Sequence, residues 1–419
     1  MLNVLKKIYE LQQSEYDWSR DHKELLKIYE AVMEVASDKK DFIKKSSAMM
    51  GGKCNKLSDD EEKQWLDYAG SIFGSYAAVK MYETALNKTV CYSLAEIEEV
   101  IEFYLNNTSL PEVASIGLYA CARHLEVKEP MLCYELTEAA FALNPDLAKV
   151  LGVSYHYKGK AAEEDLTEEC PFCGSGGQHL IPYYCSPQVM KLANHTEFSP
   201  AKLWVKCDKC GNFFSYNFPK SRVSLINGHY TKNNEEIINN KFLLDCYSRI
   251  FNRFRTLTKG NDYLEIGVGT GEMLAVAQEF GYHVEAVEIC QSDCERISAA
   301  LGIDIKWCDI LNHETDKQYD VIVMGDVLEH VIEPVSLLKK VKGMLKNGGV
   351  LWISTPNYNS AYARMQKFSH CMWHELNHYT YVSYESLKCL LEDLQMKVIR
   401  YDMSTRYIGS MELCVMHAE

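Results

Sequence analysis

The chain has 419 residues, which exceeds the usual size of a single domain, so two or three domains are expected, each able to bury a core. A formal net charge of -14 argues against a broad nucleic-acid surface, which shows itself as clustered lysine and arginine on a basic domain. No stretch approaches the roughly 18 continuous apolar residues of a membrane span, and the segment from Met1 to Glu10 has neither an apolar core nor a cleavage-like site, so the expectation is a cytoplasmic protein with no membrane insertion.

From residue 1 to about 165 the pattern is helical. Apolar positions recur at i, i+3 and i+4 through Leu25, Ile28, Tyr29, Val32 and Met33, and again through Trp65, Ala69, Ile72, Phe73 and Tyr76. Ser93 and Glu96 form a capping box, and Pro111 sits where a first-turn proline is tolerated, ahead of Val113, Ile116 and Ala120. The segment Leu132 to Pro145 is similar to the second helix of a tetratricopeptide unit, with its closing Asn144-Pro145, although no 34-residue repeat precedes it. This part of the chain reads as an all-α helical bundle, residues 1–165, serving as an interaction module for a protein partner.

Two knuckles follow, Cys170-Pro-Phe-Cys173-Gly and Cys207-Asp-Lys-Cys210-Gly, separated by 33 residues. Two thiolates flanking a tight turn can face one ion, and two such turns complete a tetrahedral set. A redox pair would stand alone at a helix start and would not recur with the same trailing glycine. The expectation for residues 166–220 is a zinc ribbon in which Cys170, Cys173, Cys207 and Cys210 hold a structural Zn²⁺, with Leu203-Trp-Val-Lys and Asn212-Phe-Phe-Ser-Tyr as short strands and Cys185 as a non-ligand. Of the 16 cysteines, those scattered singly, such as Cys91, Cys121, Cys290 and Cys389, read as buried reduced thiols.

An amphipathic helix is expected over Ile237 to Phe254, and the remainder alternates strand and helix patterns. Strands are read at Tyr263–Val268, His283–Ile289, Asp304–Cys308, Asp320–Met324, Gly349–Ser354, Lys397–Met403 and Ser410–Met416, seven in all. Between the first strand and the next helix lies Glu265-Ile-Gly267-Val-Gly269-Thr-Gly271. Glycines at alternate positions let the backbone take positive φ and let a ligand approach with no Cβ in the way, and the helix N-terminus beyond offers free N–H groups to anionic atoms. The dinucleotide fingerprint G-x-G-x-x-G is not met, because Glu272 occupies its third glycine position, so a nicotinamide cofactor is excluded.

The spacing E-x-G-x-G-x-G resembles motif I of the class I S-adenosylmethionine-dependent methyltransferases. Further matches arrive in order: Glu288 at the end of the second strand, whose carboxylate suits a ribose diol; Asp309, where the family places an acid near the adenine amino group; and Tyr319 to Val331 as the fourth strand and the turn after it. The resemblance implies an α/β fold, a seven-stranded Rossmann-like domain over residues 221–419, with S-adenosylmethionine held by Glu265, Gly267, Gly269, Gly271, Glu288, Asp309 and Asp326 beyond the carboxyl ends of the strands.

Methyl transfer requires a base to take the acceptor's proton. Asp326-Val-Leu-Glu329-His330 puts two acids and an imidazole on the first helical turn after the fourth strand, hence on one face. Trp373-His374-Glu-Leu-Asn-His378-Tyr-Thr-Tyr-Val-Ser383 resembles the histidine-bearing segment of sugar-modifying and related small-molecule methyltransferases. His378 is the preferred base, with His374 second and Glu329 and His330 as further catalytic candidates. Asp326, Glu329, His330 and one of His374 or His378 alternatively make an oxygen and nitrogen site for Mg²⁺ or Mn²⁺. Tyr230 is placed where it could close over the substrate.

A four-cysteine ribbon ahead of such a domain is similar to bacterial methyltransferases of sugar, glycan and secondary-metabolite pathways. That resemblance implies a methyl group delivered to a hydroxyl, or a carbon, of a saccharide, glycan or other small-molecule acceptor. Two other readings stand beside it: a protein, peptide or RNA methyltransferase whose ribbon and bundle grip a macromolecule, and a non-catalytic scaffold that binds the cofactor. The oligomeric state is not legible.

Overall fold

The computed structural model describes residues 111–150, 152–159, 164–194, 198–220 and 241–418. The helices expected at 25–35 and 65–76, the capping box at Ser93, Cys91 and Tyr230 lie outside the described residues. No helix among the described residues is long and apolar enough to cross a membrane. The chain divides into two compact units, one of residues 1–163 and 184–203, the other of 164–183 and 204–419.

In the first unit, helices α1 (Pro111–Leu125) and α2 (Pro130–Leu143) are followed by the short α3 (Leu147–Val150). Pro130 stands at the first turn of α2, where its missing N–H costs nothing, and the helix stops before Asn144-Pro145 because proline cannot continue it. Phe141 is fully buried among the edges of Tyr119, Tyr155 and Tyr157, with ring centroids 5.9 to 6.1 Å away. The buried Glu138 is satisfied by the hydroxyls of Ser199 (2.9 Å) and Tyr157.

The strands follow as β1 (Glu164–Leu166), β2 (Leu180–Pro187), β3 (Ala201–Cys207), β4 (Phe213–Ser215) and β5 (Asn217–Pro219). Helix α4 (Lys241–Leu257), the described part of the amphipathic helix, leads into β6 (Asp262–Ile266), α5 (Glu272–Glu279), β7 (His283–Glu288), α6 (Gln291–Leu301), β8 (Ile305–Trp307), β9 (Tyr319–Gly325), α7 (Pro334–Met344) and β10 (Leu345–Pro356). Then come α8 (Ala361–Gln366), β11 (Thr380–Tyr381), α9 (Tyr384–Asp393), β12 (Met396–Met403) and β13 (Ser410–His417).

Seven of these strands form one sheet in the order β12-β13-β10-β9-β6-β7-β8, parallel except for β13, which is antiparallel to both neighbours. All seven expected strands are present. The central β9 and β10 read Val321-Ile-Val-Met324 and Val350-Leu-Trp-Ile353, fully buried, because a parallel sheet covered on both faces leaves no solvent side to alternate toward. On one face the aromatic side of α4 packs down: Phe251 lies 5.3 to 5.6 Å from the rings of Phe254, Tyr263, Phe280 and Tyr282. A second, smaller sheet joins the knuckle strands to β11, Trp204–Lys206 pairing with Phe213–Ser215 and Phe213–Phe214 pairing with Thr380–Tyr381.

Cys121 and Cys290 are buried as expected, but Cys389 is exposed. Helix α9 buries Leu387 and Leu391, one turn apart, and position 389, two residues from each, falls on the opposite face, which meets solvent.

Candidate active site

The turn after β6 opens the site. Gly267, Gly269 and Gly271 have φ of +76°, +51° and +92°, the left-handed region where a Cβ clashes with its own backbone. A Cβ on Gly267 would stand 2.8 Å from a methyl of Val327, whereas one on Gly269 would meet nothing within 4 Å. The chain thus packs tightly at Gly267 and leaves open space at Gly269, where a ligand could approach the backbone. Gly271 caps α5, whose first N–H groups face the same side.

Glu288 ends β7 beside this turn and is buried. One carboxylate oxygen accepts from the Val268 N–H and the other from the Cys290 N–H, both at 2.8 Å, leaving a lone pair on each oxygen for a diol. Burial raises its pKa, and those backbone donors oppose the rise. Asp309 lies just beyond β8, next to Glu288 in the sheet, since the Cys308 N–H donates to the Glu288 carbonyl at 3.0 Å; its carboxylate caps the turn at Leu311 (2.9 Å). Glu265 points into the core below the turn and accepts from the Tyr263 hydroxyl at 2.6 Å. Burial, opposed by that hydrogen bond and reinforced by the charges of Glu288 and Glu272, pushes Glu265 up to about 8.

The turn after β9 differs from the helical first turn expected there. Asp326 sits at φ +57°, Leu328–His330 form a single 3-10 turn, and α7 begins only at Pro334, where the ring presets a new start. The two acids therefore part company. Asp326 accepts from the Ser354 hydroxyl at 2.8 Å and lies 3.3 Å from Nη2 of the buried Arg406. Glu329 turns inward and accepts from the Thr355 hydroxyl at 2.9 Å; burial first and the charge of Asp326 second hold its pKa well above the carboxylate range.

Arg406, on the loop between β12 and β13, carried no sequence signal. Its Nη2 donates to Ser354 at 2.8 Å, and its guanidinium lies 5.3 to 5.5 Å from the ring centres of Tyr247, Trp352 and Tyr407. Burial works against its charge, but Asp326 and Tyr247 outweigh it and its pKa rises.

Three side chains converge next to Asp326. The donor atoms of Glu329, His330 and His378 all lie within 4.8 Å of one another, and the two imidazoles meet edge to face at 4.6 Å. Their tautomers follow from their partners. His330 Nδ1 faces the Asn377 carbonyl at 2.9 Å, so it carries the proton. His378 Nδ1 lies 2.8 Å from the Tyr381 hydroxyl, whose one proton is given to the Met372 carbonyl, so His378 Nδ1 must donate. In a neutral ring so arranged, Nε2 is the nitrogen able to accept a proton. His374 lies outside this group: its Nε2 donates to the Phe368 carbonyl at 2.8 Å.

The knuckles share one geometry. The N–H of Cys170 donates to Ser175 and that of Cys207 to Asn212, while the N–H groups of Gly174 and Gly211, at φ +69° and +76°, close back on Cys170 and Cys207. The four sulfurs lie within 4.8 Å of one another, Cys170 to Cys210 at 3.5 Å and Cys173 to Cys207 at 3.6 Å. Thiolates at ~2.3 Å from one tetrahedral ion stand about 3.8 Å apart, so the donor set fits zinc. Cys185 is buried and not among the four.

Residues 239–401 match a family model described as a methyltransferase domain. The chain is 31% identical over 114 residues to the ubiquinone biosynthesis O-methyltransferase of Aeromonas salmonicida (strain A449), which is 25% of this chain and 48% of that protein. It is 32% identical over 107 residues to that of Coxiella burnetii (strain Dugway 5J108-111), 24% of this chain and 46% of that one. The chain thus spans about half the length of the curated relatives it matches. A solved S-adenosylmethionine-dependent methyltransferase from Clostridium acetobutylicum ATCC 824 is 15% identical, with a TM-score of 0.35 over 42% of this chain and 92% of that one. With the motif order, the sheet order and the family match in agreement, residues 239–401 are a methyltransferase domain of the class I S-adenosylmethionine-dependent family.

Proposed function

We propose that this chain transfers the methyl group of S-adenosylmethionine to a hydroxyl of a small-molecule acceptor. The observation that carries the reading is the juxtaposition, at the carboxyl ends of the neighbouring strands β6 and β9, of the glycine turn and the cluster of Glu329, His330 and His378. Bound at the turn, the sulfonium supplies an already activated methyl group. Glu288 takes the ribose hydroxyls, Asp309 the adenine edge, and Asp326, braced by Arg406 and Ser354, the methionine end. His378 Nε2 accepts the acceptor's proton while its Nδ1–H stays on Tyr381. The names of the curated relatives support oxygen over carbon as the methylated atom. A saccharide or other hydroxylated metabolite is the finer reading of the acceptor.

Three converging donors favour a second reading of the same cluster, in which Glu329, His330 and His378 hold a divalent cation such as Mg²⁺ or Mn²⁺ against a vicinal pair of acceptor oxygens. The four cysteines hold a structural zinc in either case. Calorimetry with S-adenosylmethionine tests the first step: binding is expected, and its absence from the purified chain overturns the proposal. With an acceptor found by screening hydroxylated metabolites for methyl incorporation, His378→Ala should lose about 10²- to 10⁴-fold in turnover; parent-like turnover removes the base.

A further inference from the structure

We infer that the four-cysteine ribbon is a positioning element of the active site, holding His378 and its tautomer in place through β4, β11 and Tyr381. The inference rests on the reading of His378 as the acceptor's base. The path is short and made of named contacts. The second knuckle closes on Asn212, and β4 begins at the next residue, two beyond Gly211. Gly211 is itself tied down, its carbonyl accepting from the Tyr358 hydroxyl at 2.8 Å. β4 then pairs with β11, setting Phe213 opposite Tyr381 and Phe214 opposite Thr380, and the Ser215 N–H adds a bond to the Tyr379 carbonyl at 2.8 Å.

β11 is only two residues long and, among the described residues, is an edge strand of its sheet whose ladder β4 supplies, with Val382 just beyond it bridging to Asn357. On its other side the same segment holds the turn after β9: the Tyr379 N–H donates to the Glu329 carbonyl at 2.6 Å and the Thr380 hydroxyl to the Leu328 carbonyl at 3.1 Å. A segment that carries one imidazole and fastens the turn bearing the other is thereby edged by the ribbon.

Side chains lock the join. Trp204 of β3, fully buried, stacks on Tyr381 with centroids 4.6 Å apart and planes at 27°, and its Nε1 donates to the Trp373 carbonyl at 3.0 Å. Trp373 meets Tyr381 edge-on at 5.7 Å and Phe213 at 5.3 Å. Tyr381 is therefore held on one ring face by Trp204, edge-on by Trp373, and at its hydroxyl, whose proton goes to Met372. That commitment sets His378 to donate from Nδ1, the less favoured site in a free imidazole. Tyr381 and Trp204 are positioning residues; neither needs to touch the acceptor.

Two measurements on the full chain test this, neither of which needs an identified acceptor. Nitrogen-15 spectra of histidine-labelled protein at pH 9, where an ordinary imidazole is neutral, should show the His378 proton on Nδ1 in the parent and shifted mainly to Nε2 in Tyr381→Phe. Amide exchange should quicken at least tenfold across residues 371–383 in Cys210→Ser, with residues 262–288 and the affinity for S-adenosylmethionine unchanged. Trp204→Phe should do the same without touching a cysteine, so the idea stays testable if Cys210→Ser fails to fold. A parent His378 protonated on Nε2, unchanged exchange across 371–383, or equal quickening across 262–288 would each overturn the inference. Full turnover by His378→Ala would instead remove the base reading and leave the exchange result standing.

Discussion

Glu265 offers a quantitative handle on the site. It is buried, its folded pKa is about 8 against an ordinary value of 4.5, and the chief cause is loss of hydration. Between those two pH values the folded protein keeps a proton that the unfolded chain has already released, so the unfolded state binds fewer protons and stability falls as pH rises. The full difference, about 3.5 units at about 1.4 kcal/mol each, is on the order of 5 kcal/mol, absent below pH 4.5 and complete above pH 8. Glu265→Gln keeps an acceptor for the Tyr263 hydroxyl and cannot ionise. The stability of the variant relative to the parent should therefore climb by about 1.4 kcal/mol per pH unit from pH 5 to 8, whatever constant offset the buried amide adds. Denaturant unfolding at five pH values measures that slope directly. In the same variant the affinity for S-adenosylmethionine should match the parent's below pH 8 and fall short of it above, where Glu265 is ionised. A slope difference of zero, or one of opposite sign, would refute the assignment of Glu265 as an acid kept neutral by burial.

Gly269→Val should weaken cofactor binding at least tenfold while costing the fold only the ~1–2 kcal/mol of a side chain at positive φ, because its Cβ meets open space; calorimetry alongside thermal unfolding separates the two. Metal analysis of the purified chain should find one zinc per chain, lost in the Cys170→Ser, Cys207→Ser double variant. If the imidazole cluster holds a cation, Mn²⁺ added to the zinc-loaded protein should bind and Glu329→Gln should weaken it at least tenfold; equal titrations would dismiss the second reading. Arg406→Met should cost about 3–5 kcal/mol of stability, since it strips the charged partner from Asp326 and leaves Glu412 with Arg253 alone, and urea unfolding reads it.

The sheet was legible because its strands are short apolar runs set off by glycines and polar turns, and a parallel sheet demands that pattern. Gly267, Gly269 and Gly271 declared themselves because only glycine tolerates the turn they make, and the cysteine knuckles because their spacing has few other uses. The expected helical face at Asp326, Glu329 and His330 failed for a local reason: i, i+3 and i+4 spacing describes a helix only if backbone angles allow one, and Asp326 is left-handed there. Arg406 and Tyr381 were invisible as site residues. One arrives from the distant hairpin loop and the other acts through a hydroxyl orientation, and neither relation leaves a periodicity or a motif in the chain.

The placement of β13 has a consequence for biosynthesis. It follows the six other strands of this sheet in chain order, yet it lies between β10 and β12, so until it emerges the Leu351–Pro356 edge of β10 exposes a row of unpaired amides and carbonyls beside some of the most apolar residues of the core. A nascent chain stalled or nicked before residue 410 would present that edge to other chains, so termination there should yield inclusion bodies in place of a soluble fragment, and a folding chaperone should be needed until residues 410–417 have been made.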